Sequence, residues 1–167
     1  QIGFVPQEVF LFSDTIKNNI AFGLSNIQPN QVEEAAKNAA VYQNIMDFDL
    51  KFETMLGERG ITLSGGQKQR VSIARALIKS PKILVFDDCL SAVDTKTEEE
   101  ILGNLSKMMH NKTTILIAHR ISTIKNADQI LVLSEGEIKE QGTHQELLSL
   151  NGIYAEMYQN QLLEQEV

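Results

Sequence analysis

The chain has 167 residues, of which 43% are hydrophobic and 22% charged, and its 22 acidic and 15 basic side chains give a net charge of −7. This length and apolar fraction predict one folded domain with a sizeable core and exclude a disordered chain. The acidic balance argues against nucleic acid as a partner, because non-specific binding to nucleic acid depends on lysine and arginine contacts to phosphates.

Three further features limit the class of protein. The single cysteine, Cys89, excludes an internal disulfide and suits a reducing compartment. No apolar run reaches the length of a membrane span, and residues 1–4 do not resemble the start of a signal peptide. Since the sequence also lacks an initiator methionine, we expect it to be a piece of a longer protein.

The first half of the chain predicts one strand and two helices. Residues 2–5 are an apolar run closed by Pro6, as at the end of a strand. A helix is predicted from Asn30, which has the spacing of a capping box with Glu33. A second helix is predicted to open at residues 63–67 and to stop at Pro81, with an apolar stripe of Val71, Ala74, Leu77 and Ile78. Its basic residues are predicted to form a solvated face: Lys68, Arg70, Arg75 and Lys79.

The second half alternates strands with helices. Residues 83–86, 114–118 and 129–133 are apolar runs, and the first is predicted to be a parallel strand covered on both faces. Helices are predicted after Thr95, which caps together with Glu98, and over residues 145–150 and 153–164. The last helix is expected to pack through Ile153, Met157 and Tyr158. This order predicts an α/β fold with a mainly parallel sheet and flanking helices.

Two carboxylates, Asp87 and Asp88, follow the apolar run 83–86 directly. They are therefore predicted at the carboxyl end of a strand, where α/β sheets bind ligands. One carboxylate there can hold Mg²⁺, and the next can orient or deprotonate an attacking water. A strand that simply ends in a polar turn explains the same pattern equally well.

A second candidate site is the start of the helix that follows residues 63–67. These residues are Leu63, Ser64, Gly65, Gly66 and Gln67. Two glycines allow a polyanion to approach the backbone, and a helix N-terminus presents free N–H groups and a positive dipole. A third candidate is His119, just past the apolar run 114–118 and expected at the same sheet edge as Asp87 and Asp88, where it can donate to a phosphate oxygen.

With these residues in order, the chain resembles the nucleotide-binding domain of ATP-binding cassette (ABC) transporters over essentially its whole length. Residues 63–67 resemble the signature motif and 83–88 the Walker B strand. Ser91, Ala92 and Asp94 resemble the D-loop, His119 the switch histidine and Gln7 the Q-loop glutamine. The resemblance implies ATP and Mg²⁺ as cofactors, with Asp87 and Gln7 at the metal, Asp88 and His119 as catalytic residues, and residues 63–67 binding the nucleotide of a second domain.

Finer features resemble exporters with fused membrane domains. They are residues 7–20, residues 142–154, and the loop 57–60, which resembles the exporter loop that touches the membrane domain. The implied partners are a second nucleotide-binding domain and a fused or associated transmembrane domain, with no nucleic acid. The implied location is the cytoplasmic side of the plasma membrane, as part of an integral membrane protein.

The chain departs from the family pattern in two ways. No GxxxxGK[ST] phosphate loop occurs in it. The resemblance therefore runs from the Q-loop onward and implies a partial P-loop NTPase fold, with a helical subdomain at about residues 8–80 and part of the catalytic core at 81–167. We expect this chain alone to be inactive. The second departure is Asp88, where the family usually has the glutamate that acts as catalytic base; aspartate there resembles the degenerate half of a heterodimeric exporter.

Two other functions stay open at this point. One is a soluble ABC-type ATPase that acts on nucleic acid or ribosomes, although neither a basic surface nor a coiled-coil heptad pattern is evident in the sequence. The other is a non-catalytic fragment that folds and only offers a surface to a partner. Measured nucleotide binding separates this last function from the first.

Overall fold

A computed structural model of the chain describes residues 1–57, 62–109 and 112–165. Its contacts divide it into two units, Gln1–Ile117 and Ala118–Val167. The first unit contains β1 (Ile2–Val5), α1 (Ile16–Ile20), α2 (Pro29–Asn38), α3 (Tyr42–Met46), a 3₁₀ turn (Lys51–Glu53), α4 (Gly65–Leu77), β2 (Ile83–Asp87), α5 (Thr95–Met108) and β3 (Thr113–Ile117). The subdomain boundary near residue 80 stays a prediction.

The sheet of the first unit has the strand order β1-β2-β3, and both pairs are parallel. Val5 pairs with Phe86, and Asp87 pairs with Ile117. The carboxyl ends of all three strands therefore lie at one edge. This confirms the predicted α/β fold with a parallel sheet, and it places the residues that follow β1 and β2 side by side.

Only one face of this sheet is covered. Leu84 and Phe86 are buried in the core, whereas Ile83 and Ile115 on the other face are exposed, Ile115 to 49%. The prediction that residues 83–86 are covered on both faces is therefore wrong. Burial alternates along β2 because the helices of the first unit pack against one face of the sheet, and the apolar run in the sequence does not distinguish the two cases.

Helix α4 forms the centre of the first unit. The predicted stripe is confirmed, since Val71, Ala74 and Leu77 are buried, with Ile78 packed against them. A Cβ atom at Gly3 of β1 would stand 2.8 Å from Cγ of Pro81, 2.9 Å from Cδ2 of Leu84 and 3.1 Å from the carbonyl oxygen of Ala76 in this helix. The close approach of strand to helix therefore requires glycine at position 3.

Two predicted helix starts are wrong by a few residues. Helix α2 begins at Pro29, and its capping box joins Gln28 to Gln31 instead of Asn30 to Glu33, because proline is well suited to the first turn of a helix. Helix α5 is capped by Asp94, whose carboxylate accepts a hydrogen bond from the Thr97 N–H at 3.0 Å. Thr95 is instead its first helical residue.

The second unit contains α6 (Ile121–Ile124), β4 (Ile130–Ser134), β5 (Glu137–Gly142), α7 (His144–Ser149) and α8 (Ile153–Gln165). Strands β4 and β5 form an antiparallel hairpin, and its turn residues Glu135 and Gly136 have φ values of 54° and 78°. Positive φ at both central residues is what a tight hairpin turn requires. These two residues therefore close the hairpin.

The core of the second unit consists of Ile121, Ile130, Val132, Leu147 and Tyr154. Helix α8 contributes Tyr154 to this core, while Ile153 and Met157 are 40% and 41% exposed. The expected packing through Ile153 and Met157 is wrong, since the buried face of α8 lies one residue further on; Tyr158 does pack against the core. Among the described residues, no helix combines the length and the apolar character needed to cross a membrane.

Candidate functional site

The predicted Q-loop glutamine and the predicted Walker B carboxylates meet at the carboxyl edge of the sheet. Gln7 lies two residues beyond β1, and Asp88 lies one residue beyond β2. The side-chain amide of Gln7 donates a hydrogen bond to Oδ2 of Asp88 at 3.3 Å. The structure thus brings together Gln7, Asp87 and Asp88, which the sequence predicts from two distant segments. The donor end of the Gln7 amide faces Asp88, and its oxygen remains an acceptor.

The backbone of Asp88 is held in an unusual conformation. Its φ is 45°, in the left-handed region that aspartate tolerates better than most residues do. Its N–H donates to the carbonyl oxygen of Ile117 at 2.8 Å, and its own carbonyl accepts from Oγ of Ser91 at 2.9 Å. The predicted D-loop residue Ser91 therefore helps to fix the residue that follows the Walker B strand.

The segment between Asp88 and Asp94 is anchored by buried apolar side chains. Cys89, Leu90 and Val93 all lie in the core. Burial, reinforced by the neighbouring charges of Asp88 and Asp87, raises the pKa of the Cys89 thiol to about 12. The thiol is therefore protonated at neutral pH and acts as a small apolar side chain.

The predicted signature residues form the N-terminus of α4. Oγ of Ser64 accepts a hydrogen bond from the Gln67 N–H at 3.3 Å, and Oε1 of Gln67 accepts one from the Ser64 N–H at 3.0 Å. This reciprocal pair is a capping box. Leu63 is buried beneath it, while Ser64 and Gly65 are exposed. The helix start is thus locally rigid and open to a ligand.

The start of α4 lies directly against the D-loop. A Cβ atom on Gly66 would stand 2.9 Å from the carbonyl oxygen of Ala92, and the Ala92 N–H donates to Oε1 of Gln69 at 3.3 Å. A groove of about 340 Å³ is lined there by Ser64, Gly65, Gly66, Arg70, Ala92, Val93 and Asp94. Glycine at position 66 is therefore required by this contact between the start of α4 and the predicted D-loop, a contact that the sequence pattern does not reveal.

Asp94 and Arg70 are the charged residues that line this groove. The pKa of Asp94 lies below its usual range, chiefly because the backbone and hydroxyl of Thr97 donate to its carboxylate, with a smaller contribution from Arg70. Burial lowers the pKa of Arg70, although the charges of Asp94 and Glu100 oppose that effect. Arginine remains charged in proteins, so the groove carries one fixed positive and one fixed negative group.

The prediction of a solvated basic face on α4 is wrong for two of its four residues. Arg70 donates to the carbonyl oxygen of Ala40 at 2.5 Å and to Oδ1 of Asn44 at 2.8 Å. Arg75 donates to the carbonyl oxygens of Asn19 and Phe10 at 2.7 and 2.9 Å. Both guanidinium groups thus reach backbone acceptors in earlier segments, which a pattern of charges along one helix does not reveal.

Asn19 is a structural residue of the Q-loop region that the sequence analysis missed. Its side chain is fully buried and accepts from the Phe12 N–H at 2.8 Å, while its amide donates to the carbonyl oxygens of Phe12 and Thr15, each at 3.0 Å. Arg75 also donates to its Oδ1 at 3.0 Å. Asn19 and Arg75 together hold the segment after Gln7 against α4.

Three phenylalanines form an aromatic cluster on the same segment. The rings of Phe12 and Phe22 stack with centroids 4.3 Å apart, and the Phe10 ring meets Phe12 edge-on at 5.0 Å. The Arg75 guanidinium lies 5.6 Å from the centroid of Phe12. Phe10 is 67% exposed. An exposed aromatic cluster held by a fixed cation is typical of a surface that receives a partner.

One predicted site residue and the predicted exporter loop remain to be described. His119 belongs to the second unit, where its side chain is exposed and its carbonyl oxygen accepts a hydrogen bond from Nε2 of Gln161 at 2.6 Å. Of the loop 57–60, only Gly57 falls within the described residues. Within the described part of the chain, no cluster of three or more histidine, cysteine, aspartate or glutamate side chains is arranged to hold a metal ion by itself.

Comparisons with known proteins agree on one family. The family model for "ABC transporter" matches residues 1–91. "ATP-binding cassette sub-family B member 6" from Xenopus tropicalis is 51% identical over 96% of this chain and 19% of that protein. The "ATM1-type heavy metal exporter" of Novosphingobium aromaticivorans is 49% identical over 98% of this chain and 27% of that protein.

A solved structure gives the same result for the fold. It is described as a bacterial Atm1-family ABC exporter with ATP bound, it is 49% identical to this chain, and it superposes with a TM-score of 0.92 over 96% of this chain and 28% of its own. The chain spans between about a fifth and just over a quarter of the length of these relatives.

The chain therefore belongs to the ABC transporter family, and its fold is that of the nucleotide-binding domain of an ABC exporter. The membership predicted from the signature, Walker B and D-loop patterns is confirmed.

Proposed function

We propose that the protein to which this chain belongs is an ABC exporter that binds and hydrolyses ATP between two nucleotide-binding domains, and that this chain supplies the half with the degenerate catalytic position. In this proposal Asp87, Asp88, Gln7 and His119 act on the nucleotide of their own domain. Ser64, Gly65 and Gly66, with the D-loop residues beside them, act on the nucleotide of the partner domain.

The observation that carries the proposal is the capped start of α4 beside the D-loop. Ser64 and Gly65 are exposed, the helix is capped by reciprocal hydrogen bonds, and Gly66 lies against Ala92. Free N–H groups and the helix dipole at such a start favour a phosphate group. Since the Gln7–Asp88 edge of the sheet is a separate set of residues, one chain offers two half-sites, as an ATP sandwiched between two domains requires.

The residues at the sheet edge suit a magnesium ion with nucleotide. Asp87 and Asp88 supply carboxylate oxygens and Gln7 an amide oxygen, and hard oxygen ligands are those that Mg²⁺ prefers, usually in combination with substrate phosphates and water. Bound with ATP, the ion neutralises charge on the phosphates. Asp87 and Gln7 would hold it, and His119 would donate to the γ-phosphate.

The degenerate position is Asp88. Its backbone is fixed by Ile117 and Ser91, so the reach of its carboxylate is set by the side chain alone. An aspartate is one methylene shorter than the glutamate usual in the family, and hydrolysis depends on placing a water within a fraction of an ångström. We therefore expect slow hydrolysis at this site, and together with the capped start of α4 this expectation favours a heterodimer in which the partner's site is the fast one.

The aromatic cluster of Phe10, Phe12 and Phe22 supports contact with a transmembrane domain. It lies on the segment that follows Gln7, is partly exposed and is stiffened by Arg75. The exporters among the relatives carry most of their length outside the region matched by this chain. We place the chain on the cytoplasmic side of the plasma membrane, as part of an integral membrane protein. A soluble ATPase acting on nucleic acid is less well supported, since the net charge is −7 and Arg70 and Arg75 are engaged internally.

ATP hydrolysis by the full-length parent in liposomes tests the proposal. We expect Mg²⁺-dependent turnover that is low for the parent alone and rises at least about tenfold when a partner half bearing glutamate at the Asp88 position is added. Full turnover by the parent alone contradicts the degenerate-half assignment. Absence of Mg²⁺-dependent turnover in both preparations contradicts the ATPase assignment itself.

A further inference from the structure

The side chain of Gln161, on α8, makes two hydrogen bonds to the backbone around His119. Its Nε2 donates to the carbonyl oxygen of His119 at 2.6 Å, and its Oε1 accepts from the Ile121 N–H at 2.8 Å. A single amide thus bridges the residues on either side of Arg120, more than forty positions away in sequence. Among the twenty side chains, only asparagine and glutamine offer a donor and an acceptor in this fixed arrangement at neutral pH.

The segment that Gln161 contacts contains the start of a helix, where backbone N–H groups need hydrogen-bond acceptors from outside the helix. Helix α6 begins at Ile121, and the first N–H groups of a helix have no partner within the helix. Arg120 occupies the N-cap position, and an arginine side chain has no acceptor with which to cap. Oε1 of Gln161 therefore replaces the missing cap. Ile121 is buried, so the segment is fixed on its downstream side by packing and at His119 by the amide of Gln161.

Helix α8 is itself firmly anchored, which gives Gln161 a fixed position. The Glu140 carboxylate accepts from the backbone N–H groups of Ile153 and Tyr154 at 2.6 and 3.0 Å. Tyr154 is buried, and its hydroxyl lies 2.8 Å from Nδ1 of His144. Gln161 follows Tyr154 by seven residues, which is two helical turns, so both side chains project from the same face of α8.

We propose that Gln161 is a positioning residue for His119: it holds the backbone of the His119–Ile121 segment so that the histidine side chain is presented to the γ-phosphate in one orientation. This inference rests on the proposed function, in which His119 contacts that phosphate. It adds that the C-terminal helix, through one amide, sets how well the site distinguishes ATP from ADP, which lacks the γ-phosphate.

Photolabelling of the full-length parent with 8-azido-ATP, competed by unlabelled MgATP or MgADP, tests this inference. The label reports binding on the parent polypeptide and does not require turnover. We compare Gln161→Met, which keeps length and helix propensity but removes both hydrogen bonds, with Gln161→Glu, which keeps only the acceptor. The matched control is Gln159→Met on the exposed side of the same helix. His119→Ala and the His119→Ala/Gln161→Met double variant complete the set.

We expect both Gln161 variants to raise the half-maximal concentration of ATP at least threefold while that of ADP changes less than twofold. His119→Ala should shift ATP in the same direction, the double variant should match His119→Ala, and Gln159→Met should match the natural chain. If His119→Ala leaves the ATP to ADP ratio unchanged, the role of His119 in the proposed function is wrong and this inference falls with it.

Three results overturn the inference while the proposed function stands. The first is that the Gln161 variants keep the natural ratio of half-maximal ATP and ADP concentrations while His119→Ala changes that ratio. The second is an additive loss in the double variant, since residues that act through one another do not add. The third is equal weakening of ATP and ADP together with a lowered unfolding temperature, which marks Gln161 as a purely structural residue.

Discussion

The side-chain nitrogen of Gln7 lies 3.3 Å from Oδ2 of Asp88, although 81 positions separate the two residues. The parallel pairing of β1 with β2, in which Val5 faces Phe86, produces this proximity. Gln7, which follows the first strand, is therefore in direct contact with Asp88, which follows the second. In the proposed function, this hydrogen bond is the one that a magnesium ion or an attacking water must reorganise.

The first prediction concerns Asp88. In the full-length parent with its partner half, Asp88→Ala should leave steady-state ATPase within about a factor of three, under 1 kcal/mol of barrier, because the partner's site carries the turnover. The measurement is the ATPase rate in liposomes. A collapse of turnover on this change would instead identify Asp88 as a working base, since loss of a group that orients the water costs orders of magnitude.

The second prediction concerns the signature helix. Ser64→Arg should lower turnover by about a hundredfold or more, because a bulky cation at the open start of α4 blocks the approach of the partner's nucleotide. Gly103→Arg is the matched control, as it adds the same side chain at an exposed position of α5, where a Cβ atom meets nothing within 4 Å. An equal loss of turnover in both variants would show that any added arginine lowers turnover, and would contradict a specific role for the start of α4.

The third prediction concerns Asp87. Asp87→Asn removes a charge from the carboxyl edge of the sheet and should weaken Mg²⁺-dependent ATP binding by the parent about tenfold, or 1.4 kcal/mol. Binding measured with EDTA should change little. Asp49→Asn, on an exposed turn of the first unit, should behave as the natural chain in both conditions. Unchanged MgATP binding in the Asp87 variant would contradict its role as a metal residue.

The fourth prediction concerns the stability of the first unit. Arg75→Met removes the hydrogen bonds to the carbonyl oxygens of Asn19 and Phe10, and it leaves those acceptors without their donor. A hydrogen bond to a charged group contributes about 1.5–3 kcal/mol to stability. We expect the urea midpoint of the chain to fall by about 1 M. Lys79→Met, at the exposed position after α4, should leave the midpoint in place; an equal fall there would contradict this account.

The fifth prediction uses the Cys89 thiol. Burial raises its pKa to about 12, so at pH 8 the thiolate fraction is about one in ten thousand, and reactivity rises only as the pH approaches 12. Maleimide should therefore label the folded chain very slowly at pH 8 and label it rapidly in 6 M guanidinium, where the pKa returns to its ordinary value. Rapid labelling of the folded chain would show that residues 88–94 open readily.

The sequence predicts well what depends on local pattern. The parallel strands, the residues at their carboxyl ends and the stripe of Val71, Ala74 and Leu77 all follow from periodicity and from the order of elements. That residues 63–67 open a helix follows from the two glycines and the apolar stripe that comes after them, whereas the reciprocal cap of Ser64 and Gln67 is seen only in the structure. These features are local or are fixed by strand direction, so no knowledge of packing is needed.

What the sequence does not reveal are contacts made across the fold by long polar side chains. Arg70 and Arg75 look like a solvated face, because the backbone acceptors of Ala40 and Asn19 are distant in the chain and leave no trace in the pattern of charges. Gln161 lies on a helix whose sequence suggests packing alone. Likewise, a run of apolar residues does not tell whether Ile83 is covered, since that depends on which elements lie above the strand.

The conformation of Asp88 has a consequence for how such transporters diverge. Its left-handed backbone, which aspartate tolerates better than most residues do, is fixed by main-chain and Ser91 hydrogen bonds that do not involve its carboxylate, so these bonds stay available when glutamate stands there. The codons of these two residues differ only in the third base. Under the proposed function, in which aspartate makes the site slow, a gene duplicate can exchange a fast site for a slow one through one base change, and the reverse change is equally short. In such a pair, a difference in hydrolysis rate between the two nucleotide-binding domains can thus arise or disappear through one base change.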